Sequence, residues 1–150
     1  MRVLAAAGNT TMRDDGIGLR ILEAIAQRNL APDLELVDLS AGLVLLIDYF
    51  APATEKIVVV DALLLGDAPG TVTIFDPDDA VSEKPLSGIT THEGDLMQTI
   101  ALGRALGQPV PPMRVIGIEP QSMKPGMELS PALGERLKEY IATALREARS

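Results

Sequence analysis

The sequence predicts an α/β fold with a mostly parallel, twisted sheet and helices on both faces. Two observations favour it. Apolar strand-like runs alternate with amphipathic helical segments along the chain, and the run Ile57–Val60 is apolar without alternation. A strand that is apolar on both faces is typical of a parallel sheet covered by helices on both sides. With 150 residues and neither a linker nor an internal repeat, we expect one three-layer domain over residues 1–150.

Hydrophobic periodicity predicts the elements of the N-terminal half. The run RVLAAA is predicted to be the first strand, followed by a glycine-containing loop and a helix that ends near Arg28. The apolar stripe of that helix comprises Ile17, Ile21, Leu22 and Ile25. A second strand is predicted in LELVDL from Leu34, a short helix in GLVLLIDYF, and the central strand in KIVVVDALL.

The C-terminal half begins with TVTIF after Gly70, which predicts an edge strand that pairs antiparallel. Thr90 and Glu93 have capping-box spacing, so a helix is predicted from Thr90 to Leu106, with His92 in its first turn. The run RVIGI predicts the next strand. Ser130 as N-cap and Pro131 at the first helical position predict one last helix. The residues expected to pack that helix are Leu133, Leu137, Tyr140, Ile141 and Leu145.

Composition excludes several classes of protein. No apolar run approaches the roughly 20 residues of a membrane-spanning helix, and VLAAA is too short for the apolar core of a secretory signal, so we expect a cytoplasmic protein. The chain has no cysteine, which excludes disulfides, thiolate metal sites and a cysteine nucleophile. A net charge of −8, with two Tyr, two Phe and no Trp, argues against nucleic acid as a partner.

Candidate functional residues lie where strands of the predicted sheet end, which is where ligands bind in open α/β folds. Asp14 and Asp15 follow the first strand, Asp61 ends the central strand, and His92, the only histidine, opens a helix. Two carboxylates and an imidazole suit a metal site with open positions for water or substrate. Neighbouring helical residues do not share a face, so only one of the two adjacent acids is expected to enter the site. The other is expected to cap a helix or to face water.

Each candidate also has a purely structural interpretation. Acids at helix starts commonly cap free N–H groups, aspartates end strands, and a histidine in a first turn is often structural. The glycine loop lacks the three spaced glycines of a dinucleotide fingerprint and places acids where a diphosphate would bind. The chain also lacks the HExxH and GxSxG motifs of zinc proteases and serine hydrolases.

Taken together, the motifs resemble those of the hydrogenase maturation endopeptidases, over nearly the whole chain. The family's opening GN…DDGIG corresponds to Gly8-Asn9 and Asp14–Gly18, its VDA to Val60–Ala62, and its histidine to His92 in TTHEGDL. GIEP at Gly117–Pro120 and LSP at Leu129–Pro131 are also similar. The resemblance implies an aspartic-type endopeptidase that removes a C-terminal extension from the large subunit of nickel–iron hydrogenases.

The resemblance also implies roles for individual residues. Asp15, Asp61 and His92 would contact nickel, and Asp38 would be functionally important after the second strand. Because such a trio has no thiolate, it would hold nickel loosely, and the metal would arrive already inserted in the precursor. The chain departs from the family at DLSAG, where a DGGT-like turn is usual, and at Ala6 and Thr11. We expect a monomer that acts on the nickel-loaded large-subunit precursor.

Three alternatives belong to other functional classes. A non-catalytic nickel-handling or precursor-binding module on the same fold would bind the precursor without changing its mass. A nucleotide-binding domain would bind nucleotide measurably, although the acidic loop disfavours it. In a structural α/β domain, truncation of Asp15, Asp61 or His92 would change stability alone.

Overall fold

The computed structural model describes residues 1–79 and 91–150, with the side chains of the second range described from residue 95. Within these residues, five strands form a sheet in the order β2-β1-β3-β5-β4. They are β1 Arg2–Ala6, β2 Glu35–Asp38, β3 Lys56–Ala62, β4 Val72–Phe75 and β5 Met113–Ile118. The pairs β1–β2, β1–β3 and β3–β5 are parallel, whereas β4 pairs antiparallel with β5 at one edge. The predicted fold class and the antiparallel edge strand are therefore confirmed.

Helices cover both faces of this sheet. They are α1 Ile17–Gln27, α2 Thr91–Ala105, α3 Pro131–Gly134 and α4 Leu137–Arg149, with 3₁₀ helices at Arg13–Gly16 and Leu43–Tyr49. One core joins α1, α3 and α4 to Val58 and Val60 of β3. The opposite core joins α2 and the second 3₁₀ helix to Ile57 and Val59. Because side chains alternate along a strand, the apolar run of β3 supplies both cores.

The last helix differs from its prediction. Ser130 does occupy the N-cap position before Pro131, but its side chain makes no capping hydrogen bond. The helix then stops at Gly134 and restarts at Leu137, with a turn at residues 135–136. Glycine is a poor helix former, and the turn lets the Arg136 guanidinium donate to the Gly70 carbonyl oxygen at 2.6 Å. The predicted single helix is therefore two helices joined by a turn.

The strand order reverses between β1 and β3. From β1 the chain passes through α1 to β2 on one side, and β3 then pairs with the other side of β1. Such a reversal opens a crevice beyond the carboxyl ends of the two central strands. Gly18 allows α1 to approach closely here, because a Cβ at this position would overlap the Val60 carbonyl oxygen.

The described part of α2, Thr91–Ala105, falls within the predicted helix, and Leu96 and Ile100 are buried against the sheet. The proposed capping residue Thr90 lies outside the described residues. Since a short connection leads from the end of α2 to the start of β5, we expect the first turn of α2 to lie toward the edge at which the parallel strands end. Across the described ranges, no helix is both long enough and apolar enough to cross a membrane.

Candidate active site

Gly8 brings the first loop and the central strand together at the carboxyl edge of the sheet. It lies just after β1 and has a φ of +119°, a backbone conformation that residues with a side chain rarely adopt. A Cβ at Gly8 would overlap the Asp15 carbonyl oxygen and would lie 3.5 Å from Oδ1 of Asp61. The absence of a side chain at this position therefore lets the loop that carries Asp15 close over the end of β3, beside Asp61.

Asp61 is a carboxylate held at the end of an apolar strand. It is 4% exposed, and its Oδ1 accepts a hydrogen bond from the Ala62 backbone N–H at 2.8 Å. Alternation along β3 places Asp61 on the same face as Ile57 and Val59, which is the face covered by α2. A buried carboxylate at a topological switch point is well placed to act on a ligand.

The two adjacent acids have different environments. Asp15 is half-buried, whereas Asp14 is fully buried. The Asp14 carboxylate accepts three backbone hydrogen bonds, from Ser130 at 2.8 Å, Gln121 at 2.9 Å and Ser122 at 3.0 Å. The expectation that Asp14 caps a helix or faces water is thus wrong, because a distant loop supplies its partners. These contacts assign Asp14 a structural role and leave Asp15 as the candidate for the site.

Backbone hydrogen bonds brace the Asp15 loop against residues 121–130. The Arg13 N–H donates to the Gly126 carbonyl at 2.9 Å, and the Gly126 N–H donates to the Thr11 carbonyl at 2.8 Å. The Asp14 N–H donates to the Ser122 carbonyl at 3.1 Å. Arg13 itself has a φ of +46°, an uncommon conformation for a residue with a side chain. The loop that carries Asp15 is thus held from the far end of the chain.

The remaining two candidates are His92 and Asp38. The His92 backbone belongs to the first turn of α2, but its side chain lies outside the described residues. Asp38 ends β2, is exposed, and accepts a hydrogen bond from the Ser40 N–H at 2.8 Å. It lines a cleft of about 740 Å³ together with Gly8 and residues of α1. Asp38 therefore stands two strands away from Asp61, beside the mouth of this cleft.

Comparison with known proteins decides the family. The family model for hydrogenase maturation proteases (HycI) matches residues 19–147. The chain belongs to the hydrogenase maturation protease family. It is 32% identical to the hydrogenase 2 maturation protease of Escherichia coli K12, over 99% of this chain and 93% of that protein. It is 30% identical to the hydrogenase expression/formation protein HupD of Rhodobacter capsulatus, over 95% and 69% of the two chains.

Solved structures agree with this assignment. The hydrogenase maturating endopeptidase HybD from E. coli has a TM-score of 0.81 and 25% identity, covering 99% of this chain and 93% of that one. The NiFe hydrogenase maturation protease HybD from Thermococcus kodakarensis has a TM-score of 0.79 and 26% identity, covering 99% of both chains. The protein is thus a peptidase of this family, and its fold is that of the solved maturation proteases.

One buried residue of this maturation protease was not singled out from the sequence. Glu119, directly after β5, is 5% exposed, and its Oε1 accepts hydrogen bonds from Leu65 N–H at 2.8 Å and Asp67 N–H at 2.9 Å. Glu119 therefore shapes the loop that follows Asp61 and β3. A signal was available, because Glu119 directly follows the run RVIGI, just as Asp61 directly follows the apolar run Ile57–Val60.

The side chains described do not by themselves complete a metal site. Among them, no group of three His, Cys, Asp or Glu residues is arranged to hold a metal ion. The predicted trio includes His92, whose side chain is outside that set, so the trio stays a prediction. The carboxylates of Asp15 and Asp61 with one imidazole are donors that suit a divalent transition metal held without thiolate.

Proposed function

We propose that this protease removes a C-terminal extension from the large-subunit precursor of a nickel–iron hydrogenase after nickel has been inserted. In this proposal Asp15, Asp61 and His92 contact the nickel that the precursor carries. Asp38 handles the substrate chain beside them. Nickel is thus part of the substrate and not a resident cofactor. Action in the cytoplasm, as a monomer and by an aspartic-type mechanism, stays a prediction.

The observation that carries the proposal is the approach of Asp61 Oδ1 and the Asp15 loop around Gly8. This places a buried carboxylate and a second acid at the strand ends where α/β folds bind ligands. A solved relative is itself described as a NiFe hydrogenase maturation protease, which supports a precursor of that class as the substrate. The direction of α2, whose first turn is expected to face the same edge, supports the inclusion of His92.

The chemistry divides between the substrate's metal and the residues of this chain. A bound divalent metal can polarise a carbonyl or lower the pKa of a water molecule. Asp61, fixed by the Ala62 N–H, presents its carboxylate in a constant orientation. Backbone hydrogen bonds to residues 121–130 hold the loop that carries the second acid, Asp15. We infer that this rigidity positions the scissile peptide relative to the nickel.

The decisive experiment compares two forms of the precursor. The purified protein is mixed with a nickel-loaded, C-terminally extended large subunit and, separately, with the nickel-free form, and intact masses are recorded. We expect loss of a defined C-terminal fragment from the nickel-loaded form alone. If neither form loses mass while both bind, the chain is a precursor-binding module and the proposed cleavage is wrong.

Asp61→Asn tests the site directly. Asparagine keeps an oxygen that can accept the Ala62 hydrogen bond but removes the negative charge. Cleavage of the nickel-loaded precursor should slow by on the order of 100-fold or more, the scale of losing one group that acts at the reacting atoms. Asp48→Asn, at an exposed carboxylate on the second 3₁₀ helix, is the matched control and should cleave normally. Equal rates for both variants would remove Asp61 from the mechanism.

A further inference from the structure

The cleft beside Asp38 has the shape of a groove between α1 and β2. Its wall on the helix side is formed by Leu19, Leu22, Glu23 and Ala26, which share one stripe of α1. Leu36 and Asp38 of β2 form the opposite wall. From Leu19 to Ala26 the helix rises by about 10 Å at 1.5 Å per residue, which matches about three residues of extended chain. We call this cleft the α1–β2 groove.

The β2 strand, which forms one wall of the groove, is an edge strand of the sheet. In the described part of the chain β2 pairs with β1 only, so its other side is an edge. The Leu39 N–H donates to the Ala6 carbonyl at 2.8 Å, so Leu39 and, by alternation, Val37 direct their backbone groups toward β1. The backbone groups of Leu36 and Asp38 therefore point away from β1. These are the same two residues of β2 that line the groove, and an extended peptide pairs with such groups.

The polar and apolar parts of the groove indicate the character of its occupant. Leu19, Leu22 and Leu36 give both of its walls an apolar surface. Two carboxylates line the groove, those of Glu23 and Asp38, and one guanidinium, that of Arg20. The Arg20 guanidinium already forms an ion pair with Glu23 at 3.2 Å. Arg20 also donates to the Met127 carbonyl at 2.8 Å. Charge complementarity thus favours a segment that is neutral or basic and carries at least one apolar side chain.

The groove is continuous with the candidate active site. Gly8 lines its end, and the position of a Gly8 Cβ is 3.5 Å from Asp61 Oδ1. We propose that the α1–β2 groove binds an extended segment of the hydrogenase precursor as an added strand beside β2, which leads the scissile bond to Gly8 and Asp61. This inference rests on the proposed function, since it assigns the binding site of the same substrate.

Ala26 offers a test far from the candidate catalytic residues. It is exposed on the last turn of α1 and lines the groove, so Ala26→Trp should fill the groove without disturbing a core. We expect KM for the nickel-loaded precursor to rise at least about tenfold while kcat changes less than about threefold. Ala142→Trp, at an exposed alanine on α4 outside the groove, should leave both constants within about twofold of the parent. An unchanged KM in Ala26→Trp would overturn the proposal.

A cross-link gives a second measurement that does not require cleavage. The chain has no cysteine, so Ala26→Cys creates a unique attachment point for a photoreactive maleimide, with Ala142→Cys as control. After irradiation with the nickel-loaded precursor, mass spectrometry should find the Ala26→Cys label on the segment that flanks the cut bond. A label on any other segment, or equal labelling from Ala142→Cys, would overturn the proposal.

The two proposals fail in distinguishable ways. If the parent protein cleaves the precursor but the Ala26 variants behave like their Ala142 controls, the groove assignment is wrong and the proposed function stands. If the parent protein does not cleave any nickel-loaded precursor, the proposed function fails. The groove is then supported only if the Ala26→Cys label attaches to the C-terminal region of the bound precursor, and it is overturned if the label does not.

Discussion

Asp14 shows how one buried carboxylate can order the surroundings of a site without entering it. Its Oδ1 accepts the Ser130 N–H, and its Oδ2 accepts those of Gln121 and Ser122. In Asp14→Asn the amide NH₂ must face at least one of these donors, whichever way the side chain is flipped. Hydrogen bonds to charged groups contribute about 1.5–3 kcal/mol each, so we expect a loss of about 2–4 kcal/mol in the free energy of unfolding.

Urea unfolding followed by circular dichroism measures this loss. Asp48→Asn replaces an exposed carboxylate and should change the free energy of unfolding by less than about 0.5 kcal/mol. A similarly small effect in Asp14→Asn would show that residues 121–130 do not depend on the carboxylate. In that case the bracing of the Asp15 loop would have to come from its backbone hydrogen bonds with Ser122 and Gly126.

The buried phenol of Tyr140 is expected to make the free energy of unfolding depend on pH in the alkaline range. Burial raises the pKa of its phenol above the usual 10.0, with the Arg136 guanidinium opposing the shift and Glu139 and Asp14 adding to it. The phenol also donates to the Gly70 carbonyl at 2.8 Å. Between pH 10 and the raised pKa, the unfolded chain loses this proton while the folded chain keeps it. The free energy of unfolding therefore falls as pH rises through this window, by at most about 1.4 kcal/mol per pH unit from this group.

Comparison with Tyr140→Phe isolates this effect, because all other titrating groups are common to both proteins. Below pH 10 the parent should be more stable by a constant amount, owing to the hydrogen bond to Gly70. Above pH 10 that advantage should shrink. Urea unfolding at pH 7, 9 and 11 measures it, and an advantage of the same size at all three pH values would contradict the prediction.

The contact between helix α1 and strand β3 depends on Gly18. A Cβ at this position would overlap the Val60 carbonyl oxygen, and the backbone of a central strand cannot move aside cheaply. Gly18→Ala should lower the free energy of unfolding by about 1–3 kcal/mol, although alanine is the better helix former. Gly134→Ala is the matched control, because its Cβ would meet only Leu129 Cβ at 3.9 Å, an ordinary contact.

Thermal and urea unfolding of the two glycine variants test this directly. Gly134→Ala should be neutral or slightly stabilising, since the substitution improves helix propensity without a clash. If Gly18→Ala were equally neutral, α1 would have to shift away from β3 at little cost. A normal cleavage rate in that variant would further show that the Asp15 loop does not need the close approach of α1.

The sequence predicted the elements whose signals are local. The stripe of α1 is buried as expected at Ile17, Ile21, Leu22 and Ile25, and the unbroken apolar run of β3 correctly indicated a strand covered on both faces. The prediction of a single last helix was wrong. The break after Gly134 depends on the contact between Arg136 and Gly70, which lie 66 residues apart in the chain. Helix periodicity carries no information about such a partner.

The difference between local signals and contacts with distant residues also explains which residues of the candidate site could be predicted. Asp61 was predicted from its place at the end of a strand, which is a local signal. The burial of Asp14 was not, because its partners are more than 100 residues away in the sequence. Glu119 likewise acts on Leu65 and Asp67, which belong to another loop. Residues that organise a site through distant backbone groups can be recognised only once the topology brings those groups together.

The strand order gathers these features at one edge of the sheet. Because β1 and β3 are neighbours at the reversal, the loop after β1 and the end of β3 meet at Gly8. The loops that follow β3 and β5 are joined by Glu119, and residues 121–130 return to Asp14. The sheet thus supplies a rigid floor, and loops from both halves of the chain are tied together above it.

The shared sheet also predicts cooperative unfolding. Each core takes alternate residues of the same central strand, so neither can lose its packing while β3 keeps its structure.

The chain has two tyrosines and no tryptophan, and the tyrosines report on opposite faces. Tyr140 is buried in the core with α1 and α4, and Tyr49 packs against the core with α2. Tyr49→Phe therefore leaves Tyr140 as the only tyrosine, and Tyr140→Phe leaves Tyr49, so each variant reports on one face of the sheet.

Within each variant, the urea midpoints from tyrosine fluorescence and from far-ultraviolet circular dichroism should coincide, as two-state unfolding requires. A fluorescence midpoint well below the dichroism midpoint in either variant would show that its face unfolds first and that the two cores are not coupled through β3.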